Sequence, residues 1–289
     1  MRTLLTAIAL SVLVGCMPTD LPFEEPETSC EKLEEERYIV SSKADARDLS
    51  LRSYCIANTL RIEGDFEDLS ALEGLRSVGT LEIENNQNLR SLGGLSRVLV
   101  EKGIRIVDNP SLKGVRKTEI EFKRDLAGAV IIEGNESLET LNAFETVETI
   151  ELGLSYRRNG GLRDLRAFST VRTIGGDLDI SDNRSLEQIQ GFDDLFSTGK
   201  LNISKNNALT ITNGFSINYS TVNGDLNILD NLLLNDAFDL SQNVDSVLGA
   251  IFIAGNTGLS ECRARDFESV PEAGAEVIES NGATFEPCY

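Results

Sequence analysis

The amino-acid sequence predicts a repeat solenoid of about nine coils, with one parallel β-sheet and a disulfide-closed cap at each end. Apolar residues alternate in short pairs about every 24 residues, an asparagine follows most pairs at a fixed distance, and four cysteines flank the repeated region. The expected boundaries are 30–58 for the N-terminal cap, 59–260 for the solenoid and 261–289 for the C-terminal cap. Within the caps, the runs 32–37 and 263–270 predict short helices.

The apolar pairs predict one short strand in each coil, because alternation over a β-branched run is typical of a strand with one buried face. A single coil buries too few side chains to offset the entropy lost on ordering its backbone. The coils must therefore stack and share one core. The nine pairs are Leu60/Ile62, Leu81/Ile83, Ile104/Ile106, Val130/Ile132, Ile150/Leu152, Leu178/Ile180, Leu201/Ile203, Leu226/Ile228 and Ile251/Ile253.

An asparagine stands five residues after the first member of seven of these pairs. An inward-facing amide both donates and accepts hydrogen bonds, so it can satisfy backbone groups of its own coil and of a neighbouring coil. The sequence therefore predicts a structural ladder of asparagines at one corner of the stack. Its predicted members are Asn86, Asn109, Asn135, Asn183, Asn206, Asn231 and Asn256.

This spacing resembles the leucine-rich repeat superfamily, and within it the receptor L-domain type. The stretches 174–186 and 222–231 carry the resemblance most clearly, and it covers about 59–260 together with both caps. The resemblance implies a right-handed coil whose parallel strands form one face. It also implies that partners bind on the outward side of that face.

The first residues predict a secretory signal peptide at 1–15, because Arg2 is followed by an apolar run at 4–14 that is too short to span a bilayer. The run ends in Leu-Val-Gly before Cys16, which resembles the lipobox of bacterial lipoproteins. The resemblance implies cleavage before Cys16 and acylation of that residue. Several acyl chains make a stable membrane anchor. The alternative is an ordinary signal peptide that contains a cysteine.

The segment 16–29 predicts an extended tether, because it is acidic, contains three prolines and has no apolar period. Met17, which follows the predicted lipid site, is not the aspartate that is associated with inner-membrane retention. By resemblance, the chain is therefore expected in the bacterial cell envelope, anchored by lipid at the outer membrane.

Four cysteines remain after Cys16, and they allow three connectivities. Proximity favours the pairs Cys30–Cys55 and Cys262–Cys288, because the two ends of a rigid stack are far apart. Each pair would close a loop of about 25 residues and stabilise the fold by roughly 3.5 kcal/mol in the chain-entropy model. Disulfides are typical of oxidising compartments. The alternative, a zinc site, lacks the clustered CxxC spacing that it requires.

The charge balance excludes a nucleic-acid partner, because 47 acidic residues against 27 basic ones give a net charge of −20. The chain has no histidine, which removes the usual general base and the commonest metal ligand. We therefore expect no enzymatic activity, no cofactor and no metal. The enzymatic alternative is a glycan-cleaving solenoid with carboxylates such as Glu82 and Glu84, but the sequence indicates no pocket around them.

Two coils depart from the regular repeat, and we expect a binding site at these irregular coils. In coil five, Asn159 follows Ile150 by nine residues instead of five, which predicts an inserted loop at 153–158. Coil three has an irregular, basic return, and 13 of the 27 basic residues lie between Arg97 and Arg172. The two loops are expected to lie close together and to bind an acidic partner; alternatively, they are solvated surface loops. The residues expected to bind this partner are Tyr156, Arg157, Arg158, Lys117 and Arg124.

The outward side of the strands is a second candidate surface, on which Ile131, Leu229 and Phe252 are apolar. Single apolar residues on a surface are common, so these positions alone do not define a site. The function that the sequence favours is a non-enzymatic recognition or adhesion module that binds a protein or glycan of the cell envelope or surface. The alternative is a structural envelope spacer without a specific ligand.

Overall fold

A computed structural model describes most of the chain between residues 30 and 282. Within these residues the chain forms a parallel β-solenoid of about ten turns, which confirms the predicted fold at this level. The predicted signal peptide, Cys16, the predicted tether and Cys288 lie outside the described residues. No helix in the described part of the chain is long and apolar enough to cross a membrane. The described ranges are 30–47, 53–215, 220–270, 274–279 and 281–282.

Short strands make up most of the regular structure. In chain order they are β1 (Glu31–Leu33), β2 (Arg37–Val40), β3 (Tyr54–Glu63), β4 (Leu75–Glu84), β5 (Val98–Val107), β6 (Gly114–Val115), β7 (Ile120–Phe122), β8 (Asp125–Leu126), β9 (Ala129–Glu133), β10 (Thr140–Leu141), β11 (Thr149–Ile150), β12 (Gly153–Arg157), β13 (Asp164–Leu165), β14 (Thr173–Ile174), β15 (Leu178–Ser181), β16 (Gln188–Ile189), β17 (Ser197–Thr198), β18 (Leu201–Ser204), β19 (Ser220–Val222), β20 (Leu226–Leu229), β21 (Val244–Val247), β22 (Ile251–Ala254) and β23 (Glu276–Glu279). The helices are α1 (Lys43–Arg47), α2 (Phe238–Asn243) and α3 (Glu261–Ala264), with 3-10 turns at Ser70–Leu72 and Arg265–Ser269.

The main sheet has 13 strands, in the order β1-β3-β4-β5-β9-β12-β15-β18-β20-β22-β23, with β2 also beside β3 and β7 beside β5. Its strands pair in parallel, and Leu178 and Ile180 lie beside Leu201 and Ile203. The inward apolar residues therefore form continuous columns through the core. The predicted pairs occupy these columns in every coil except the fifth.

Coil five departs from the predicted alignment. Its main-sheet strand is β12, in which Leu154 and Tyr156 take the two inward positions beside those of β15. Asn159 follows Leu154 by five residues, so the spacing of this coil is regular. The inserted loop predicted at 153–158 is therefore absent, and that part of the prediction is wrong.

The return side of the coils forms three further sheets among the described residues, where the sequence predicted one sheet in all. The second sheet has six strands, in the order β21-β19-β17-β14-β11-β8. In it Ile150, which was assigned to the main sheet, lies beside Ile174. The pairs β6–β10 and β13–β16 form two small sheets. Each regular coil thus runs through three short strand segments separated by corners.

A stack of aromatic rings fills the return side of the core. Neighbouring ring centroids in this stack lie between 4.4 and 5.6 Å apart, one ring in each successive coil. Such spacing is favourable for aromatic pairs. The rings belong to Phe122, Phe144, Phe168, Phe192 and Phe215.

An asparagine ladder runs along the corner after the main-sheet strands. Asn183 donates from its backbone N–H and from Nδ2 to Oδ1 of Asn206, at 3.0 and 3.1 Å, and Nδ2 also donates to the carbonyl oxygen of Tyr156. Equivalent bonds from the backbone N–H repeat from coil to coil. The ladder includes two asparagines that the sequence prediction omitted, Asn159 and Asn281. Its members are Asn86, Asn109, Asn135, Asn159, Asn183, Asn206, Asn231, Asn256 and Asn281.

The opposite corner, which leads into the main-sheet strands, is built from stacked glycines. Gly199 donates a backbone hydrogen bond to the carbonyl of Gly176 at 2.8 Å, and Gly224 and Gly249 continue the series. A Cβ atom on Gly176 would lie 1.5 Å from the carbonyl oxygen of Leu152. We call this series the glycine corner; it favours glycine because backbones of successive coils touch there.

At the N-terminal end, strands β1 and β2 pair with β3, and the disulfide Cys30–Cys55 closes this cap as predicted, with Cα atoms 5.7 Å apart. The prediction of a helix at 32–37 is wrong. This segment instead supplies strand residues to the edge of the main sheet, where β3 offers unpaired backbone groups, and the helix α1 follows it.

At the C-terminal end, α3 and the 3-10 turn that follows it occupy most of the segment predicted to be helical. Strand β23 then extends the main sheet by one more coil inside the region predicted as a cap, with Ile278 beside Ile253. Cys262 is disulfide-bonded. Cys288, the partner predicted for it, lies outside the described residues.

Candidate binding groove on the main sheet

Tyr156 is a core residue. It is fully buried, in the column that other main-sheet strands fill with isoleucine. Its hydroxyl has no hydrogen-bond partner among the described residues, and burial raises the pKa of the phenol. This corrects the prediction that placed Tyr156 in a surface loop: the register of coil five turns its side chain inward.

Arg157 and Arg158 lie at the end of β12 and bind neighbouring coils. Arg157 Nε donates to Ser181 Oγ at 3.0 Å and lies 3.3 Å from Asp179 Oδ2. Arg158 occupies the left-handed corner position, with φ 52°, and its Nη2 lies 3.6 Å from Glu133 Oε2. Both guanidinium groups therefore already have acidic partners within the solenoid.

Lys117 and Arg124 lie on the return side. Lys117 Nζ is 2.8 Å from Glu145 Oε2, and Arg124 Nη2 is 3.1 Å from Glu148 Oε2. Arg124 directly precedes β8 of the second sheet, whereas Arg157 belongs to the main sheet. The two predicted loops therefore lie on different sides of the coil, and the structure does not unite them into one basic site.

A groove of about 390 Å³ opens on the outward side of the main sheet, at the beginnings of strands β9, β12, β15 and β18. Pockets for small ligands in proteins have volumes of this order. The lining combines apolar and polar side chains. They are Ile131, Leu152, Ser155, Asp177, Asp179, Lys200 and Asn202.

The walls of the groove come from residues that lead into the main-sheet strands. Leu152 carries a side chain at the corner position that the next coil fills with Gly176, whereas Lys200 follows Gly199 and lies beside Asp177 in the register. Since strands are spaced by 4.7–4.9 Å, the two walls stand about 10 Å apart. Leu152 is 64% exposed. The groove is open beside Leu152 because Gly176, in the next coil, has no room for a side chain.

The floor of the groove is a polar row across three coils. Ser155, Asp179 and Asn202 lie side by side in the strand register. Ser155 Oγ donates to Glu133 Oε1 at 2.9 Å, and Asn202 Nδ2 donates to Asp179 Oδ1 at 2.7 Å. Together with the ion pair from Arg157, these bonds hold the row in a fixed arrangement before any ligand arrives.

Positive and negative groups are balanced at the groove, although the whole chain carries −20 charges. Asp177 and Asp179 are matched by Lys200 and Arg157. Lys200 Nζ has no ion pair within the part of the chain that the structure describes, so its donors remain free. The groove is therefore suited to a polar ligand of little net charge.

The carboxylates that the enzymatic alternative would use are held in ion pairs. Arg61 Nη2 lies 2.8 Å from Glu84 Oε2, and Arg105 also bonds Glu84. Arg37 Nη2 lies 2.9 Å from Glu82 Oε1. This network covers the N-terminal third of the sheet face and occupies its charged groups.

Burial raises the pKa of the Glu119 carboxyl, the only carboxyl within the described residues for which a rise is resolved. Glu119 lies between β6 and β7 on the return side of coil three, and its Oε2 accepts from the backbone N–H of Arg116 at 3.2 Å. No group of three or more potential metal ligands occurs in the described ranges. Glu119 is remote in the coil from the groove, so it supplies no acid or base there.

A second cavity of about 360 Å³ lies on the return side. Its charged residues are already matched, because Arg97 pairs with Glu121 and Lys117 with Glu145. It therefore offers a ligand fewer free polar groups than the main-sheet groove. Its remaining lining residues are Thr118, Phe122, Ala143 and Thr146.

The sequence prediction missed this groove because it assigned Ile150 and Leu152 to the main sheet. That alignment turned Leu152 inward and left Ser155 in a loop. A signal was present: glycine pairs or single glycines lead into most strands, and Leu152 interrupts that series directly before Gly176.

No protein-family model matches this chain, and no curated protein and no solved structure matches it either. The resemblance to the receptor L-domain type therefore stays a prediction. The groove has to be interpreted from its own geometry and chemistry.

Proposed function

We propose that this chain is a surface lipoprotein that acts as a non-enzymatic recognition or adhesion module through the main-sheet groove. The groove is the observation that supports this proposal. It combines an exposed apolar wall, a free ammonium group and a fixed row of polar side chains. Such a combination of apolar surface and convergent polar groups is typical of binding sites.

The partner in this proposal is a protein or a glycan of the cell envelope or surface. Cys16 would carry the lipid that anchors the chain, and the segment 16–29 would hold the solenoid away from the bilayer. The receptor L-domain resemblance is consistent with binding on the outward side of the strands, where the groove lies.

The alternative is a structural spacer. The asparagine ladder continues from coil to coil, and the glycine corner supports most coils, which favours a stiff rod. A rod needs no groove, however, and a spacer gives no reason for the exposed Leu152 beside a polar row.

Binding to separated envelope fractions tests the proposal. The purified chain is immobilised and exposed to envelope polysaccharides and to envelope proteins, with Asp179→Arg as the groove variant. Asp245→Arg is the matched control, because Asp245 is exposed on the second sheet. We expect saturable binding that Asp179→Arg abolishes and Asp245→Arg retains. Equal binding by both variants would contradict the groove as the binding surface, and no saturable binding at all would support the spacer.

A further inference from the structure

The dimensions of the groove set the size of its ligand. It extends from Ile131 on β9 to Asn202 on β18, three strand spacings or about 14 Å. Specific protein–protein interfaces bury at least about 1,200 Å², which is far more than a groove of this kind offers. A ligand of a few rings or residues matches it.

The strand pairing excludes one common way of binding a peptide. Extended peptides are often recognised by adding a strand to an open sheet edge. Strands β12, β15 and β18, which form the floor of the groove, are each paired on both sides. Their backbone groups are therefore already bonded, and a ligand in the groove must be recognised by side chains alone.

The side chains of the groove offer both donors and acceptors. Lys200 Nζ donates, Asp179 accepts, and Asn202 Oδ1 has no bond within the described residues while its Nδ2 already donates to Asp179. A ligand that matches this set carries groups that donate and accept at once, as hydroxyl groups do. The exposed Leu152 and Ile131 add apolar surface on which the C–H face of a sugar ring can pack.

The charge balance decides between classes of glycan. Two acidic and two basic groups surround the groove, so a polyanionic ligand would meet Asp177 and Asp179 without a net attraction. The chain as a whole is strongly negative and would repel such a ligand further. Neutral glycans, which carry hydroxyl groups, are not repelled in this way.

We infer that the groove binds a short segment of a neutral glycan, with hydroxyl groups on the row Ser155, Asp179 and Asn202 and a ring face against Leu152. This inference rests on the proposed function and adds the class of ligand. It makes Leu152 the residue that determines affinity through apolar contact, and Lys200 a hydrogen-bond donor instead of an anion site.

The test compares two exposed leucines. The purified chain is titrated with short neutral oligosaccharides of glucose, mannose and galactose, with the corresponding uronic-acid oligosaccharides, and with an envelope-protein fraction. Leu152→Ala removes the apolar wall, whereas Leu233→Ala makes the same change at a 57% exposed leucine near the asparagine corner. Both changes are on the surface, and thermal unfolding verifies that both variants fold.

We expect a neutral oligosaccharide to bind, Leu152→Ala to weaken it by at least about tenfold, and Leu233→Ala to leave it unchanged. Binding of only acidic glycans or only a protein, still weakened by Leu152→Ala, would overturn the neutral-glycan inference and leave the proposed function standing. Binding that Leu152→Ala does not alter, or no binding of any probe, would overturn both.

Discussion

At the scale of single residues, the inner ladder asparagines each connect three coils. Asn206 accepts from Asn183 through Oδ1, donates through Nδ2 to the carbonyl of Ile180, and donates to Asn231 in the next coil. All these groups are buried, so water cannot replace a lost bond. Leaving a buried polar group unpaired costs about 1–3 kcal/mol.

The loss of unfolding free energy on replacing a ladder asparagine should therefore depend on the position of that asparagine in the ladder. Asn206→Ala is expected to lower the free energy of unfolding by about 3 kcal/mol, because it leaves groups of two coils unpaired. Asn86→Ala should cost less, since Asn86 is the first rung and its Oδ1 has no partner among the described residues. Urea unfolding measures both. Equal losses would contradict a directional ladder.

At the scale of elements, the glycine corner positions both the strands and the groove. The chain enters each regular main-sheet strand through a backbone contact with the coil before it, such as Gly224 to Gly199 at 3.1 Å. Where a coil carries a side chain at this corner, the side chain has to point outward. Leu152 becomes a wall for this reason.

The variant Gly176→Ala tests this corner. Its Cβ would collide with the backbone carbonyl of Leu152, which cannot move without disturbing coil five, so we expect a loss of about 3 kcal/mol in unfolding free energy. Gly93→Ala is the control, because the nearest atom there is the flexible Ser91 Oγ at 3.1 Å. If Gly176→Ala unfolds at the same temperature as the control, Gly176 does not make the close contact with the Leu152 carbonyl.

The return of coil three should make stability depend on pH through Glu119. Burial raises the pKa of this carboxyl, so the folded state binds its proton more tightly than the unfolded state does. Its contribution to stability is present at low pH and is lost as pH rises through the raised pKa. Glu119→Gln should therefore stabilise the protein relative to wild type more at pH 7 than at pH 4, as measured by thermal unfolding. A larger gain in stability at pH 4 than at pH 7 would contradict this direction of the pH dependence.

Many of the main-sheet strands and the asparagine corner could be predicted from the sequence. The periodic apolar pairs mark the buried positions of the strands, and the periodic asparagines mark the corner. Coil five shows the limit. Both 150–152 and 154–156 alternate between apolar and polar residues, and periodicity cannot choose between them. The choice is made by Ile150, which pairs within the second sheet, a sheet that the sequence signal did not separate from the main one. The groove depends on this register and could not be predicted.

At the scale of the whole molecule, the solenoid is a continuous stack whose ionic pairs link successive coils. Arg163 pairs with Glu187 and Arg124 with Glu148, each 24 positions apart. Exposed pairs of this kind add little stability. They do, however, occupy basic residues such as Arg124, which the sequence predicts to bind a partner. The main-sheet groove, in contrast, keeps the ammonium group of Lys200 without an ion pair among the described residues.

The proposed anchor predicts where the whole chain is found. Cys16→Ser should move the protein from the membrane fraction to the soluble fraction of cells that process bacterial lipoproteins, because it removes the acylated residue. Fractionation with immunodetection measures the change, and Cys262→Ser serves as a cysteine control. A Cys16→Ser protein that stays with the membrane would contradict the lipid anchor.

The central claim is that the main-sheet groove is the binding surface of this protein. Methyl NMR of the leucine-labelled chain, titrated with envelope glycans and then with envelope proteins, tests it most directly. We predict that the Leu152 methyl signals shift on binding while those of Leu233, which is also more than half exposed but on the opposite corner, do not. Shifts at Leu233 with none at Leu152, or no shifts with any envelope fraction, would contradict the claim.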